Sequence, residues 1–258
     1  MKLGDFTLLA ESYKNRTGYS EVVLNVILAY IEKQLGRSCE KVADVGAGTG
    51  KLTENLANIG LKGYAVEPND AMRSAGMEIF KENTKFLWSK GTAEVTELPD
   101  NSVDWVLMGS SFHWTDAPVA LKEFHRILKP GGFFTAIWNP RDIEKSEWHM
   151  EIEAMIKEMV PNLKRVSSGS RMNMKDMEQK LLCTEYFKDL FLIEGSHEAV
   201  MTKERYIGAW RSVNDIQAQA GQEVFEEIIH KIEDKIGDSD EIIVPYLSRA
   251  FTVQSTKR

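Results

Sequence analysis

Three glycines, Gly46, Gly48 and Gly50, alternate along one short stretch of the chain, directly after an apolar run that contains Asp44. Glycine lets the backbone turn sharply and leaves bare peptide groups open to a ligand, and the N–H groups of a following helix can bind a carboxylate. The spacing is GxGxG, whereas dinucleotide-binding loops show GxGxxG. The loop therefore argues against NAD and suits a nucleoside that carries a carboxylate.

An acidic residue, Glu67, stands directly after the next predicted strand. A carboxylate at this place can accept hydrogen bonds from both hydroxyls of a ribose. Taken alone, Glu67 could equally be a solvated loop charge or a charge at the start of a helix. Because it follows the glycine loop, we interpret it as a ribose contact.

Short apolar segments and helical patterns alternate around this loop. A helix is predicted from Ser20 to Gly36, where glycine ends the pattern. Five buried strands are predicted at 42–45, 63–66, 85–88, 103–108 and 133–138, with helices at 51–59, 69–82 and 116–128. This alternation predicts an α/β fold with a parallel, doubly wound sheet. Later strands are predicted at 191–202 and 241–255, with helices at 205–212 and 223–236 between them.

The pattern changes after Trp138, where a predicted helix places Trp148, Ile152 and Met155 on one face and methionines become frequent. Adaptable methionine side chains suit a core, and they equally suit a lid over an apolar substrate. Both interpretations stay open. The polar stretch 161–173 is predicted to be a mobile loop.

The charge and composition of the chain exclude several classes of partner. A net charge of -7 disfavours nucleic acid, which is bound through Lys and Arg at phosphates. No segment approaches the roughly 18 apolar residues that cross a bilayer, and the start lacks an apolar core behind a basic region. We therefore expect a cytoplasmic protein without a membrane partner. Cys39 and Cys183 stand apart and the histidines lack ligand spacing, so no disulfide or metal site is predicted.

Four motifs in order resemble the class I S-adenosylmethionine-dependent methyltransferases, specifically the methyltransferase type 11 group. They are VADVGAGTGKLT, VEPNDAM, GTAEVTELPDNSVD and FHRILKPGGFF, and the resemblance covers about residues 6–140. It implies a Rossmann-like, doubly wound, seven-stranded and mostly parallel sheet whose last strand is antiparallel, with a helical cap insertion. It also implies S-adenosyl-L-methionine as the cofactor and a methyl acceptor as the substrate.

The resemblance implies three segments: a cofactor-binding Rossmann-like core at 1–140, a helical cap at 141–185, and strands and helices at 186–258 that complete the sheet and cap. A monomer or homodimer is expected.

The resemblance assigns cofactor contacts residue by residue. The glycine loop is expected at the methionine moiety, Asp44 near its amino group, Glu67 at the ribose, and the 92–94 segment at the adenine edge. The leader ESYKNRTGYS resembles a segment that closes over the cofactor, although Thr17 stands where proline is usual. The complete expected set is Tyr13, Arg16, Asp44, Gly46, Ala47, Gly48, Glu67, Pro68, Asn69, Met72, Thr92, Ala93, Glu94, Gly109, Ser110 and Ser111.

Methyl transfer from a sulfonium is an in-line displacement in which alignment supplies much of the acceleration, so few catalytic side chains are required. His113 in FHWTD is the candidate general base, because histidine titrates near neutrality; the alternative is that it forms part of the pocket wall. In this stretch Thr115 replaces the family's usual aromatic residue. Trp114, Trp138 and Arg171 are candidate acceptor contacts.

The acceptor is predicted to be a small molecule, and its chemistry stays open. The arginines in the predicted cap permit recognition of a carboxylate, as in relatives that resemble trans-aconitate methyltransferase, whereas methionine and aromatic residues favour an apolar acceptor. These arginines are Arg141, Arg165, Arg171, Arg205 and Arg211. Two other functions are alternatives: a nucleotide-dependent oxidoreductase, and a cofactor-binding protein without transfer activity.

Overall fold

The computed structural model describes residues 4–165 and 174–257. Its centre is a seven-stranded sheet in the order β3-β2-β1-β4-β5-β7-β6. The strands are β1 Val42–Val45, β2 Gly63–Val66, β3 Phe86–Ser89, β4 Val103–Gly109, β5 Leu128–Trp138, β6 Phe187–Met201 and β7 Ile242–Ser255. The pairs among β1 to β5 are parallel, and β7 pairs antiparallel with both β5 and β6. The predicted sheet with an antiparallel last strand is confirmed.

Ten α-helices surround the sheet within the described ranges. They are α1 Ala10–Tyr13, α2 Glu21–Leu35, α3 Lys51–Asn58, α4 Asp70–Ile79, α5 Ala117–Ile127, α6 Glu147–Met159, α7 Met174–Leu181, α8 Lys203–Arg211, α9 Asn214–Ala220 and α10 Gln222–Ile236. Local sequence explains the ends of α2, because Ser20 accepts a hydrogen bond from the Val23 N–H and Gly36 takes a left-handed conformation. Asn69 caps α4 in the same way.

The structure differs from the sequence prediction at several elements. Strand β5 begins at Leu128 rather than at Phe133, and Leu128 pairs with Val103 of β4. Helices α1, α7 and α9 were not predicted. Residues 166–173 of the predicted loop 161–173, including Arg171, lie outside the described residues.

Alternate residues of the strands pack into two apolar layers, one on each face of the sheet. Val106 and Phe134 belong to one layer with Phe124 of α5, whereas Trp105 and Phe133 belong to the other. This alternation follows from the two-residue period of a strand. The buried layers hold the carboxyl ends of β1, β4 and β5 side by side at one edge, where ligands bind in open α/β sheets.

A third apolar cluster joins α6, α8, α9 and α10 to the outer ends of β6 and β7. We call this group of elements the cap. Met155 and Met159 pack against its interior, whereas Met177 of α7 packs into the sheet layer. The predicted segment 141–185 therefore contributes α6 to the cap and α7 to the sheet layer, and its boundaries stay a prediction.

Candidate active site

The glycine loop joins β1 to α3 and has the geometry of a ligand cradle. Gly46, Gly48 and Gly50 have φ values of 71°, 61° and 92°, a left-handed conformation that side chains rarely adopt. The Gly46 N–H donates to the Val66 carbonyl at 2.8 Å, which fixes the loop to β2. A Cβ on Gly46 would lie 2.8 Å from Ser111 Oγ. The loop therefore presents backbone, and there is no room for a side chain.

Glu67 lies buried beside this loop at the end of β2. Its Oε2 accepts a hydrogen bond from the Gly48 N–H at 2.8 Å, and its Oε1 accepts one from the Asn69 N–H at 2.8 Å. Burial raises the pKa of Glu67, and these two hydrogen bonds oppose the rise. Each carboxylate oxygen has a second lone pair. Glu67 thus ties the loop to the start of α4 and can still accept hydrogen bonds from two hydroxyls.

Asp44 is the fully buried carboxylate of β1, beneath the glycine loop. Its Oδ2 accepts a hydrogen bond from Thr53 Oγ1 at 2.5 Å, whereas its buried Oδ1 has no hydrogen-bond partner. Burial raises the pKa of Asp44 to about 7. A buried acceptor without a donor is costly, so this oxygen favours a cationic or N–H donor from a ligand.

The residues expected at the adenine surround the ends of β2 and β3. Met72 is buried with its Cε 3.3 Å from the position of a Gly48 Cβ, and Ala93 is also buried, whereas Pro68 and Thr92 are exposed. Glu94 Oε1 accepts a hydrogen bond from the Asp116 N–H at 3.0 Å. One oxygen of Glu94 is therefore already used at the start of α5, which sequence reasoning did not foresee.

The leader before α2 covers the carboxyl end of β4. Tyr19 Oη donates to Ser110 Oγ at 3.1 Å, and the Arg16 guanidinium lies 4.3 Å above the Tyr13 ring. Gly109 packs against the same Tyr19 hydroxyl, since a Cβ there would lie 2.6 Å from it. The leader and the end of β4 are thus in direct contact.

His113 lies just after β4 and has a defined hydrogen-bonding state. Trp138 Nε1–H donates to His113 Nδ1 at 3.3 Å, and His113 Nε2 is buried without a partner. Burial lowers the pKa of His113 to about 4; the Lys180 charge adds to this effect and Asp215 opposes it. Because an indole nitrogen can only donate, the neutral ring carries its hydrogen on Nε2. In this arrangement the ring can donate a hydrogen bond but has no free basic nitrogen.

The two tryptophans expected at the acceptor differ in accessibility. Trp138 is 3% exposed and belongs to the sheet layer, so its link to the site is the hydrogen bond that it donates to His113. Trp114 is 39% exposed and packs against His113 and Phe6 with ring centroids 4.6 Å and 6.3 Å apart. The third expected contact, Arg171, lies outside the described residues.

A pocket between the leader, the strand ends and the cap contains side chains that the site prediction omitted. Its walls include Tyr13, Arg16 and Ser110 from the predicted set. The additional lining residues are Thr17, Tyr19, Lys51, Asn139, Arg141, Ala209, Val213 and Tyr246. Position after β5 could have indicated Asn139 and Arg141, because the ends of parallel strands share one edge. No local signal indicates Val213 or Tyr246, which come from distant parts of the chain.

Metal centres and membrane-spanning helices are two other kinds of functional feature. Residues 4–165 and 174–257 contain no group of three His, Cys, Asp or Glu side chains that could hold a metal ion. Over the same ranges, every helix is too short or too polar to cross a membrane.

Comparison with known proteins identifies the family of this architecture. Residues 43–136 match the family model of the methyltransferase domain. An uncharacterized methyltransferase of Mycobacterium tuberculosis is 40% identical over 126 residues, which cover 49% of this chain and 50% of that protein. The chain thus spans about half the length of the curated relatives it matches most strongly.

Two solved structures share the fold at low sequence identity. A putative type II methyltransferase from Anaeromyxobacter dehalogenans gives a TM-score of 0.63 at 17% identity, covering 92% of this chain and 97% of that chain. A Haemonchus contortus phosphoethanolamine N-methyltransferase in complex with S-adenosyl-L-methionine gives a TM-score of 0.53 at 18% identity, covering 95% of this chain and 56% of that chain. Residues 43–136 therefore form a methyltransferase domain, and the chain shares the fold of these two structures.

Proposed function

We propose that this protein transfers a methyl group from S-adenosylmethionine to a small-molecule acceptor. The observation that carries the proposal is the pair of buried carboxylates beside the glycine loop. Asp44 presents a buried oxygen without a donor, and Glu67 holds the loop while keeping lone pairs free. These groups fit the ammonium and the ribose hydroxyls of the donor, and the glycine cradle fits its methionine moiety.

The roles of the chain's own residues follow from these positions. Asp44 accepts a hydrogen bond from the amino group, Glu67 orients the ribose, and the loop at Gly46 and Gly48 brings backbone against the methionine moiety. Met72 and Ala93 supply apolar surface for the adenine. The bound donor supplies a methyl group on a positively charged sulfur, and the protein's contribution is alignment of the acceptor and exclusion of water.

His113 is proposed as a hydrogen-bond donor in the acceptor pocket. Its Nδ1 takes the Trp138 N–H, and a pKa of about 4 makes it a weak base at neutral pH. Its free Nε2–H could hold an acceptor oxygen. The general-base role stays an untested prediction that this geometry does not favour, and it would require the hydrogen bond from Trp138 to break.

The test of the donor site is calorimetric titration with S-adenosylmethionine and S-adenosylhomocysteine. We expect both to bind the wild type and Glu67→Ala to weaken binding by about 1–3 kcal/mol, because a hydrogen-bonding charged group is lost. Glu78→Ala is the matched control, since Glu78 is exposed on α4 and pairs only with Lys81 at the surface. Absence of binding of both ligands to the wild type would refute the proposal.

The same titrations separate the alternative functions. Saturable binding of NADH in place of the methyl donor would favour an oxidoreductase. Binding of the donor without formation of S-adenosylhomocysteine, across a panel of small acids, amines and phenols, would favour a non-catalytic cofactor-binding protein. Carboxyl O-methylation of a small acid would appear in the same panel as a base-labile methyl ester.

A further inference from the structure

The pocket between leader and cap is rich in positive charge. Arg16, Lys51 and Arg141 line it, and among residues 4–165 and 174–257 no Asp or Glu does. The whole chain carries a net charge of -7, so this composition is opposite to that of the protein as a whole. Several hydroxyl groups complete the walls, including those of Tyr19 and Tyr246. Such a pocket is suited to an anionic ligand.

Among the lining residues that the structure describes, Arg141 is the basic side chain without a hydrogen-bond or ion-pair partner, since Arg16 donates to Ser212 and Lys51 pairs with Glu54. Its guanidinium stacks 4.0 Å above the ring of Trp210, and its Nε is buried without a hydrogen-bond partner. Within 4–165 and 174–257 no carboxylate forms an ion pair with it. By contrast, Arg165 binds Glu153 and Arg211 binds Glu226 in the same cap. A half-buried guanidinium that is held by stacking and has a buried N–H without a partner is suited to an acceptor from a ligand.

The main-chain contacts around Arg141 hold it at the site. The Leu247 N–H donates to the Pro140 carbonyl at 3.0 Å, and the Asp142 N–H donates to the Pro245 carbonyl at 2.8 Å. The residue is therefore tied to β7 on both sides. Ala209 and Val213, which flank Trp210 in the chain, line the same pocket. The guanidinium is thus positioned by a rigid platform before any ligand binds.

The methyl donor does not account for Arg141. S-adenosylmethionine has one carboxylate, and its ammonium and sulfonium leave it with a net positive charge at neutral pH. Arg16 belongs to the set expected at the cofactor, and Lys51 begins α3 directly after the glycine loop. Strand β4 separates β1 from β5, so the positions after those two strands are about 10 Å apart. A single carboxylate at the loop leaves the charge of Arg141 uncompensated.

We propose that Arg141 binds an anionic group of the methyl acceptor, a carboxylate or a phosphate. The inference rests on the proposed methyltransferase function and narrows its substrate class. An apolar acceptor is less suited to this pocket, because its described walls contain no methionine and the cap methionines Met155 and Met159 pack against the third cluster. The acceptor then approaches from the β5 side, with its anion anchored on Arg141 and its reactive group toward Ser110.

The experiment is a calorimetric titration of succinate, and separately of inorganic phosphate, into protein saturated with S-adenosylhomocysteine. The variants are Arg141→Gln, Arg141→Lys and, as a matched control, Arg211→Gln on α8. The control removes a cap arginine that is paired with Glu226 and does not line the pocket. The affinity of each variant for S-adenosylhomocysteine is measured first and reports whether the site is folded.

We expect at least one of the two anions to bind the wild type. Arg141→Gln should weaken that binding about tenfold to a hundredfold, the usual effect of losing a charged hydrogen-bonding partner. Arg141→Lys should weaken it less, because the charge remains while the forked geometry is lost. Arg211→Gln should leave it unchanged. Tighter binding of succinate indicates a carboxylate acceptor, and tighter binding of phosphate indicates a phosphorylated one.

Two results would overturn the inference. Either neither anion binds a wild-type protein that binds S-adenosylhomocysteine, or both Arg141 variants bind the anion as tightly as the wild type. Failure of S-adenosylhomocysteine itself to bind the wild type would instead refute the proposed function. The two failures are therefore distinguishable in one set of titrations.

Discussion

Replacing Asp44 with asparagine tests whether the buried carboxylate beneath the glycine loop opposes folding. Burial raises the pKa of Asp44 from the ordinary value of 3.8 to about 7, with Thr53 as the hydrogen-bond donor to one oxygen. The folded protein therefore retains a proton that the unfolded chain releases. The stabilisation of the fold by this retained proton is fully present below pH 3.8 and is lost as the pH rises to about 7. This rise in pKa corresponds to about 4 kcal/mol.

Asparagine has the same shape and cannot ionise. Asp44→Asn therefore removes the loss of folding stability that ionisation of the buried carboxyl causes as the pH rises. Between pH 5 and pH 8 the free energy of unfolding of the variant should improve relative to the wild type by about 3 kcal/mol. Urea denaturation followed by circular dichroism at both pH values measures this change. The effect of the Thr53 hydrogen bond is already part of the pKa of Asp44, whereas any pH-independent change in packing affects both pH values equally and cancels in the comparison.

Asp104→Asn is the matched control, because Asp104 is equally buried in β4 but its pKa is lowered whereas that of Asp44 is raised. Burial acts against its ionisation, yet hydrogen bonds from Arg37 and from the Glu40 and Lys41 N–H groups hold the pKa of Asp104 below its usual value. Its charge therefore stabilises the fold at pH 5 and pH 8 alike, and its replacement should destabilise by a similar amount at both. The reasoning is refuted if Asp44→Asn also shows the same effect at both pH values.

Three further predictions concern the donor site. In the wild type, the affinity for S-adenosylhomocysteine should rise about tenfold per pH unit between pH 5 and pH 7, because only ionised Asp44 attracts the amino group of the ligand. In Asp44→Asn the affinity, measured by calorimetry, should stay constant over this range. Equal slopes in the two proteins would contradict the contact proposed for Asp44. Gly46→Ala should weaken the affinity for S-adenosylhomocysteine at least about tenfold, because the new methyl group clashes with Ser111 and the left-handed backbone is strained. Gly36→Ala is the control, because Gly36 has a similar left-handed φ but open space around it. It should lower the free energy of unfolding by only about 1 kcal/mol. Trp138→Phe should raise the pKa of His113 from about 4, followed by NMR, because the hydrogen bond to Nδ1 stabilises the neutral ring; an unchanged pKa would argue against that hydrogen bond.

Local patterns predicted most of the fold because they reflect local causes. The strands at 42–45 and 63–66 are short and apolar, and α2 has a serine at its start and a glycine at its end. The glycine loop and Glu67 belong to one contiguous βαβ unit, so their proximity follows from the topology of that unit. The contact between the glycine loop and Glu67 was accordingly predictable from residues close together in the sequence.

Elements outside such units were harder to predict. Helix α9, Asn214–Ala220, is short and mostly polar, and it is stabilised by packing of Ile216 into the cap. The start of β5 at Leu128 depends on pairing with Val103 of β4, and the turn tendency of Pro130 and Gly131 persists as an irregularity before the pair of Trp105 with Phe133. In both cases a tertiary contact extends regular structure beyond what local preference indicates.

The state of individual side chains also depends on distant partners. His113 is typical of a general base in sequence, yet the Trp138 N–H fixes its tautomer and burial lowers its pKa. Glu94 lies in a predicted adenine segment, yet one of its oxygens caps the backbone at Asp116. Residue type indicates which chemistry is available, and the environment decides which part of it is used.

By itself, the sequence determined the α/β order, the resemblance to a methyltransferase domain and the place of the glycine loop, because these depend on periodicity and on motifs within short stretches. Only the tertiary structure decided the pocket proposed for the acceptor, where Tyr13, Lys51, Ser110, Arg141 and Tyr246 meet. These residues come from the leader, the start of α3, the positions after β4 and β5, and β7. Contacts between segments so far apart leave no periodic signal, and the free guanidinium of Arg141 can be distinguished from its paired neighbours only by packing.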